Sequence, residues 1–183
     1  MLRWVVCALA ISGCAPLATQ HLADVAFSKA IAAQLAHQDE VAESYYKDIV
    51  VLGLASSAVW NNLAAIEVHR RELSAARHLL ARAVETSDRD LIALTNYGVV
   101  SFWLSDFREA ERALESAQVL RRDVINGIPS VGHDDFVRER YERDTEHLAQ
   151  VATKYLDKIA KSMQTGEPVV SADLIADITP ARF

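Results

Sequence analysis

Cysteine, glycine and proline are all scarce in this chain, and each scarcity excludes something. Six glycines and four prolines in 183 residues are too few for a collagen, a low-complexity linker or a loop-rich β-sandwich. Two cysteines, Cys7 and Cys14, both lie within the first fourteen residues, so the rest of the chain has no sulfur for a disulfide, a thiolate nucleophile or a Cys-based zinc site. Basic residues are in the minority, 19 against 25 acidic, and the net charge of −6 leaves neither the electrostatic footprint of nucleic-acid binding nor a polybasic membrane patch. The apolar run from Trp4 to Ile11 is too short to cross a hydrocarbon core, which takes about 20 residues. What remains is ordinary globular material, 51% hydrophobic and 24% charged, of a length suited to about one domain.

An internal repeat organises the middle of the chain. Sliding the stretch from Ser57 onto the stretch from Leu91, 34 residues on, places Trp60 on Leu94, Leu63 on Tyr97, Ala64 on Gly98, Leu73 on Phe107, Ala76 on Ala110, Leu80 on Leu114 and Ala83 on Ala117. Large falls on large and small on small. The motifs Trp60-x₂-Leu63-Ala64, Ala76-x₃-Leu80-x₂-Ala83, Tyr97-Gly98 and Ala110-x₃-Leu114-x₂-Ala117 resemble the tetratricopeptide repeat. Stepping back 34 residues gives a third, weaker copy, in which Ala30, Ala42 and Tyr46 fit while Lys29 replaces Leu63 and Asp39 replaces Leu73. Leu54, Asp88 and Arg122 stand where that family usually has a proline. The resemblance implies an all-α solenoid of about three helical hairpins, residues 23–56, 57–90 and 91–124, with small residues at the close helix crossings. Helices are expected at 22–36, 39–52, 57–69, 72–86, 91–103 and 106–123, the last capped by Ser105 or Asp106. The alternative is a set of generic helical hairpins.

After Val124 the repeat stops, and Asn126-Gly127-Ile128-Pro129-Ser130-Val131-Gly132 reads as a helix breaker. Within residues 125–165, apolar positions from Phe136 to Met163 recur at helical spacing, with a polar gap at Asp144–Thr145. They predict one amphipathic helix of about 30 residues ending near Thr165-Gly166. That helix either caps the last repeat or lies along the concave groove. Residues 166–183 form a tail in which 171–178 hold a short helical turn or two.

The opening Met1-Leu2-Arg3, the apolar run and Ile11-Ser12-Gly13-Cys14 resemble a bacterial lipoprotein signal peptide with its lipobox. The resemblance implies cleavage after residue 13, a lipid anchor on Cys14 and residues 14–22 as a tether. With Ala15 rather than Asp next to the cysteine, it implies the outer membrane, facing the periplasm. An ordinary signal peptide with a chance cysteine is the other reading.

Catalytic residues are not apparent. The six histidines make neither an H-x₃-H nor an H-E-x-x-H pair, and no nucleophile elbow, phosphate loop or paired-carboxylate motif stands out. His133-Asp134-Asp135, at a helix start, reads as a cap before it reads as a metal site. Runs such as Arg138-Glu139-Arg140 make a solvated face. The expectation is therefore a non-enzyme with no cofactor, no metal and no nucleic-acid partner. In the tetratricopeptide family the first helix of each pair lines a concave groove. Carried over, that places Phe27, Ile31 and Leu35, then Asn61, Ala65, Val68 and His69, then Thr95, Val99, Phe102 and Trp103 against a protein or peptide partner. No Lys or Arg stands among them to clamp a terminal carboxylate, so an apolar peptide or amphipathic helix fits best. Phe102 and Trp103 have a second reading, as packing beneath the C-terminal helix. Small lipoproteins of this type serve envelope assembly, the pilotins of pilus and secretion secretins among them. A scaffold regulating a periplasmic enzyme, as in peptidoglycan turnover, is the alternative. Oligomeric state and partner identity are left open by the sequence.

Overall fold

Three times, at intervals of 34 residues, the backbone makes the same left-handed turn: at His37 (φ 57°), Arg71 (φ 67°) and Ser105 (φ 63°). The computed structural model in which this is seen describes residues 15–128, 133–165 and 177–178, with side chains from residue 17 to 128 and from 137 onward in those ranges. Each turn closes a helix in the same way. The amide of the next residue reaches back five positions, Gln38 to the Ala33 carbonyl, Glu72 to Glu67 and Asp106 to Ser101, at 2.9 Å in all three. This is the Schellman closure, which satisfies carbonyls that the helix end would otherwise strand. Gly53 (φ 71°) makes a fourth after α2, with Leu54 bonded back to Ile49. Among the described residues the structure is all-α.

The described residues form seven helices, α1 (Ala15–Leu35), α2 (Asp39–Val51), α3 (Ser57–His69), α4 (Leu73–Thr86), α5 (Leu91–Trp103), α6 (Phe107–Gly127) and α7 (His133–Thr165). The first six pair as hairpins α1–α2, α3–α4 and α5–α6, and each hairpin packs on the next. The residues that repeat in sequence repeat in burial. Ala42, Ala76 and Ala110 are fully buried, as are Tyr46, Leu80 and Leu114 one turn later and Ile49, Ala83 and Ala117 after them. Ala30, Ala64 and Gly98 hold the small position of the inner helices. At Gly98 the approach is closest, for a Cβ there would come within 2.6 Å of Leu114 Cγ. Lys29, at the place of Leu63, is exposed with its ammonium 5.6 Å from the Tyr45 ring, whereas Leu63 is buried between hairpins.

Two boundaries differ from the sequence reading, and the choice between two cap residues is settled. The segment expected as a tether is helical from Ala15, so α1 begins well before residue 22. Helix α6 runs through Asn126 to Gly127 before it stops, because Ile125 and Ile128 close it with a local backbone bond and Arg138 of α7 binds the Ile128 carbonyl. Asp106, not Ser105, caps α6, its carboxylate accepting from the Glu109 amide, since Ser105 occupies the left-handed position. The polar gap in α7 also finds its reason. Thr145 is buried against α6, where the Arg121 guanidinium donates to its hydroxyl at 2.8 Å and to the Glu142 carbonyl at 3.1 Å. Met163, placed on the apolar stripe, is exposed.

Helix α7 packs against both α5 and α6, as each earlier hairpin packs on its successor. Leu148, Val151, Ala152, Tyr155 and Ile159 form its buried stripe. No helix among the described residues is long and apolar enough to cross a membrane.

Candidate functional site

Two of the inner helices, α3 and α5, differ from ordinary amphipathic helices in having almost no charged face. Helix α5 carries no charged residue and α3 only Glu67 before its terminal His69, and ten of the thirteen residues in each are buried. A helix apolar on every side needs cover on every side. Here the chain supplies it. Ala65, Val68, Val99 and Phe102 lie in one buried cluster with Val151, Ala152, Tyr155 and Ile159 of α7 and with Ile178 of the tail.

This corrects the expected groove at most of its residues. Asn61, Thr95 and Val99 have no exposed surface, nor does Val68, and Ala65 and Phe102 are nearly as buried. They form core and not an open wall. Thr95 turns its hydroxyl onto the Leu91 carbonyl at 2.8 Å. Phe102 is boxed in by rings, with Tyr155 at 5.0 Å, Phe107 at 5.5 Å and Trp103 at 6.2 Å between centroids. Trp103 is half-buried and its indole N–H donates to the Tyr155 hydroxyl at 2.8 Å. Of the two readings of this aromatic pair, packing beneath the C-terminal helix is the one the geometry matches.

The first hairpin is different. Phe27 and Ile31 are half-buried, Phe27 edge-on to Tyr46 at 5.9 Å, and Leu35 is exposed. His69 is exposed at the end of α3, its Nδ1 3.0 Å from Asp39. Beside Phe27 opens a cleft of about 370 Å³ walled by α1, the end of α2 and the start of α3, with Ala23, Phe27, Ile49, Leu54 and Val59 among its lining and Asp24 at its edge. Leu17 and Leu22 on α1 and Val51 on α2 are exposed aliphatic side chains on the same hairpin.

Behind the inner face runs a polar chain that the sequence reading missed. The Tyr46 hydroxyl donates to Gln34 Oε1 at 2.9 Å and accepts from Asn62 Nδ2 at 2.9 Å. Asn62 adjoins Asn61, whose Oδ1 accepts from Asn96 Nδ2 at 2.8 Å. Tyr46 and the three asparagines are fully buried, and the chain crosses all three hairpins. Burial pushes the Tyr46 hydroxyl up to about 12. The signal was present in the sequence, for Asn62 and Asn96 stand 34 apart at equivalent positions.

A second polar chain lies at the other end. Tyr155 passes the hydrogen bond from Trp103 on to Asp177 Oδ2 at 2.9 Å, and Lys154 Nζ holds both oxygens of that carboxylate, at 2.7 and 3.0 Å. Lys158 places its ammonium 4.8 Å from the Tyr155 ring centroid. No spacing in the sequence links Asp177 to Lys154.

Among the described residues no three His, Cys, Asp or Glu side chains converge as a metal site. Cys14, the leader 1–13 and the tail residues other than 177 and 178 lie outside the described residues, as do the side chains of His133, Asp134 and Asp135. No protein-family model matches this chain, and no curated protein matches it.

Proposed function

We propose that this chain is a tetratricopeptide-type adaptor, carried on the outer membrane by a lipid on Cys14, that holds a protein partner during envelope assembly. A pilotin for a pilus or secretion secretin is the specific form of the proposal. It acts by binding and not by catalysis, and it uses neither metal nor cofactor. The observation that carries the repeat assignment is the turn that recurs at His37, Arg71 and Ser105, with identical backbone bonds and with Ala42, Ala76 and Ala110 buried behind it. Generic hairpins have no reason to share one closure at one interval.

The surface left for a partner is the first hairpin, which holds the cleft at Phe27 and on which Leu17, Leu22, Leu35 and Val51 are exposed. This lies on the helix that follows Cys14. A lipid there adds about 0.8 kcal/mol of membrane affinity for each buried methylene, so the multiple chains of a lipoprotein anchor hold it stably.

The test is twofold. Mass spectrometry of the mature protein is expected to find acyl groups on Cys14, and Cys14→Ser to abolish them together with processing. An unacylated mature N-terminus at another residue overturns the anchor. In a deletion strain, a secretin multimer is expected to accumulate away from the outer membrane. Normal secretin placement with altered wall chemistry overturns the pilotin form in favour of an enzyme regulator.

A further inference from the structure

Two tail residues return to the body of the protein as a ligand would. Helix α7 ends at Thr165, yet Asp177 pairs with Lys154, eleven residues and so about 16 Å back along the helix. What Asp177 meets is a pair that α5 and α7 bring together. Trp103 donates to Tyr155, and Tyr155 is fully buried among Phe102 and the α7 stripe. The phenolic hydroxyl donates in turn to the Asp177 carboxylate, and Lys154 and Lys158 add two cations beside the ring. A carboxylate is the group that satisfies a hydroxyl donor and an ammonium together. Ile178, next in the chain, enters the same apolar cluster as Val68, Val99 and Phe102.

We propose that Trp103, Lys154 and Tyr155 form a peptide-binding subsite for an acidic residue followed by an aliphatic one, which the chain's own Asp177–Ile178 occupies as an internal competitor. The proposal deepens the adaptor reading and rests on it for the existence of a partner. The partner is a protein segment bearing Asp or Glu followed by Ile, Leu or Val. It gains the same carboxylate bonds and fills the same apolar position once the tail leaves. The Lys154 side chain is 38% exposed, so its ammonium is within reach of an incoming carboxylate. The tail, tethered by a short linker, acts at an effective concentration in the millimolar range. A free peptide therefore binds the intact protein weakly, and weakening the tail restores its affinity, since a competent fraction scales apparent affinity directly.

The experiment uses the full chain with Asp177→Asn and Ile178→Ala together, and a fluorescein-labelled peptide copying residues 172–183, followed by anisotropy. The double variant is expected to bind at least tenfold more tightly than the wild-type chain. A peptide with alanine in place of both key residues is expected not to bind either protein, and Tyr155→Phe in the double variant to lower affinity for the copied peptide. Equal binding of the two peptides overturns the proposal, as does absence of binding by a double variant with unchanged helix content. Should the double variant lose helix content, Asp177→Asn alone, which keeps Ile178, is put through the same comparison. Loss of fold in both makes the tail a constituent of the core and overturns the proposal. Failure here leaves the adaptor reading standing with its partner at the first hairpin. An unlipidated Cys14 leaves this subsite standing without the membrane.

Discussion

Tyr46 has to satisfy one hydroxyl in a place water does not reach, and it does so by joining Gln34 of α1 to Asn62 of α3. Replacing it with phenylalanine keeps the ring against Phe27 but removes the buried bonds to Gln34 and Asn62. Tyr46→Phe is expected to cost about 1–2 kcal/mol at neutral pH, read from urea unfolding. It also has a pH signature. The folded state holds the phenolic proton more tightly than the unfolded chain, so the stabilisation is complete below about pH 10 and is lost as pH rises through 12. The substitution is expected to flatten the alkaline fall in stability over that window by roughly 2 kcal/mol. An unchanged alkaline limb would mean that the hydroxyl reaches water. Ser101 is the opposite case, a buried hydroxyl with no partner among the described residues, and Ser101→Ala is expected to leave stability unchanged or raise it by up to about 1 kcal/mol in the same assay.

At the scale of the element, the helix ends and helix crossings carry the design. The three repeated turns put His, Arg and Ser in a conformation that costs an ordinary residue roughly 1–2 kcal/mol, and each is tolerated because the 2.9 Å closure bond demands it. Arg71→Gly is expected to gain about 0.5 kcal/mol after the greater freedom of glycine in the unfolded chain is counted, while Arg71→Val is expected to lose 1–2 kcal/mol. Thermal melts of the pair check the turn directly. A reversed order would mean that residue 71 is not left-handed. The α5–α6 crossing makes a sharper demand. Gly98→Ala improves helix propensity by about 1 kcal/mol, but its Cβ would meet Leu114 Cγ at 2.6 Å and the Ala110 carbonyl at 3.2 Å. Leu114 is fully buried and cannot yield, so overpacking of about 1–3 kcal/mol prevails and the melting temperature is expected to fall. A rise would show that this hairpin relaxes to the spacing found at Ala64.

For the whole molecule, the decisive event is that α7 and the tail cover the inner face that the repeats leave apolar. Val151 is buried on the face of α7 that joins the cluster of Val99, Val100 and Phe102, so Val151→Asp places a carboxylate among apolar side chains. Amide exchange in α3 and α5 is expected to be the slowest in the native protein, and in this variant to accelerate in α5 and α7 well before it does in α1 and α2. Uniform acceleration along the chain would make the molecule a single cooperative unit instead of a stack with a removable cover.

The repeat, the hairpins and the long last helix were legible in the residues because each is a local matter. An alanine at a crossing, a leucine one turn on and a 34-residue interval need only neighbours along the chain, and the expected helices at 57–69 and 91–103 match α3 and α5 to the residue. Even the burial of those helices was foreshadowed by α5 having no charge at all. Which of two occupants covers the inner face, a partner or the C-terminal helix, was not legible. Val68 and Phe102 carry the same apolar character whether they face a partner or their own chain, and periodicity reports how much surface must be covered without reporting by what. Only the tertiary structure brought Tyr155 across to Trp103 and Asp177 back to Lys154, separations of 52 and 23 residues. Contacts at that range depend on where whole helices lie, and no pattern within a single helix encodes them.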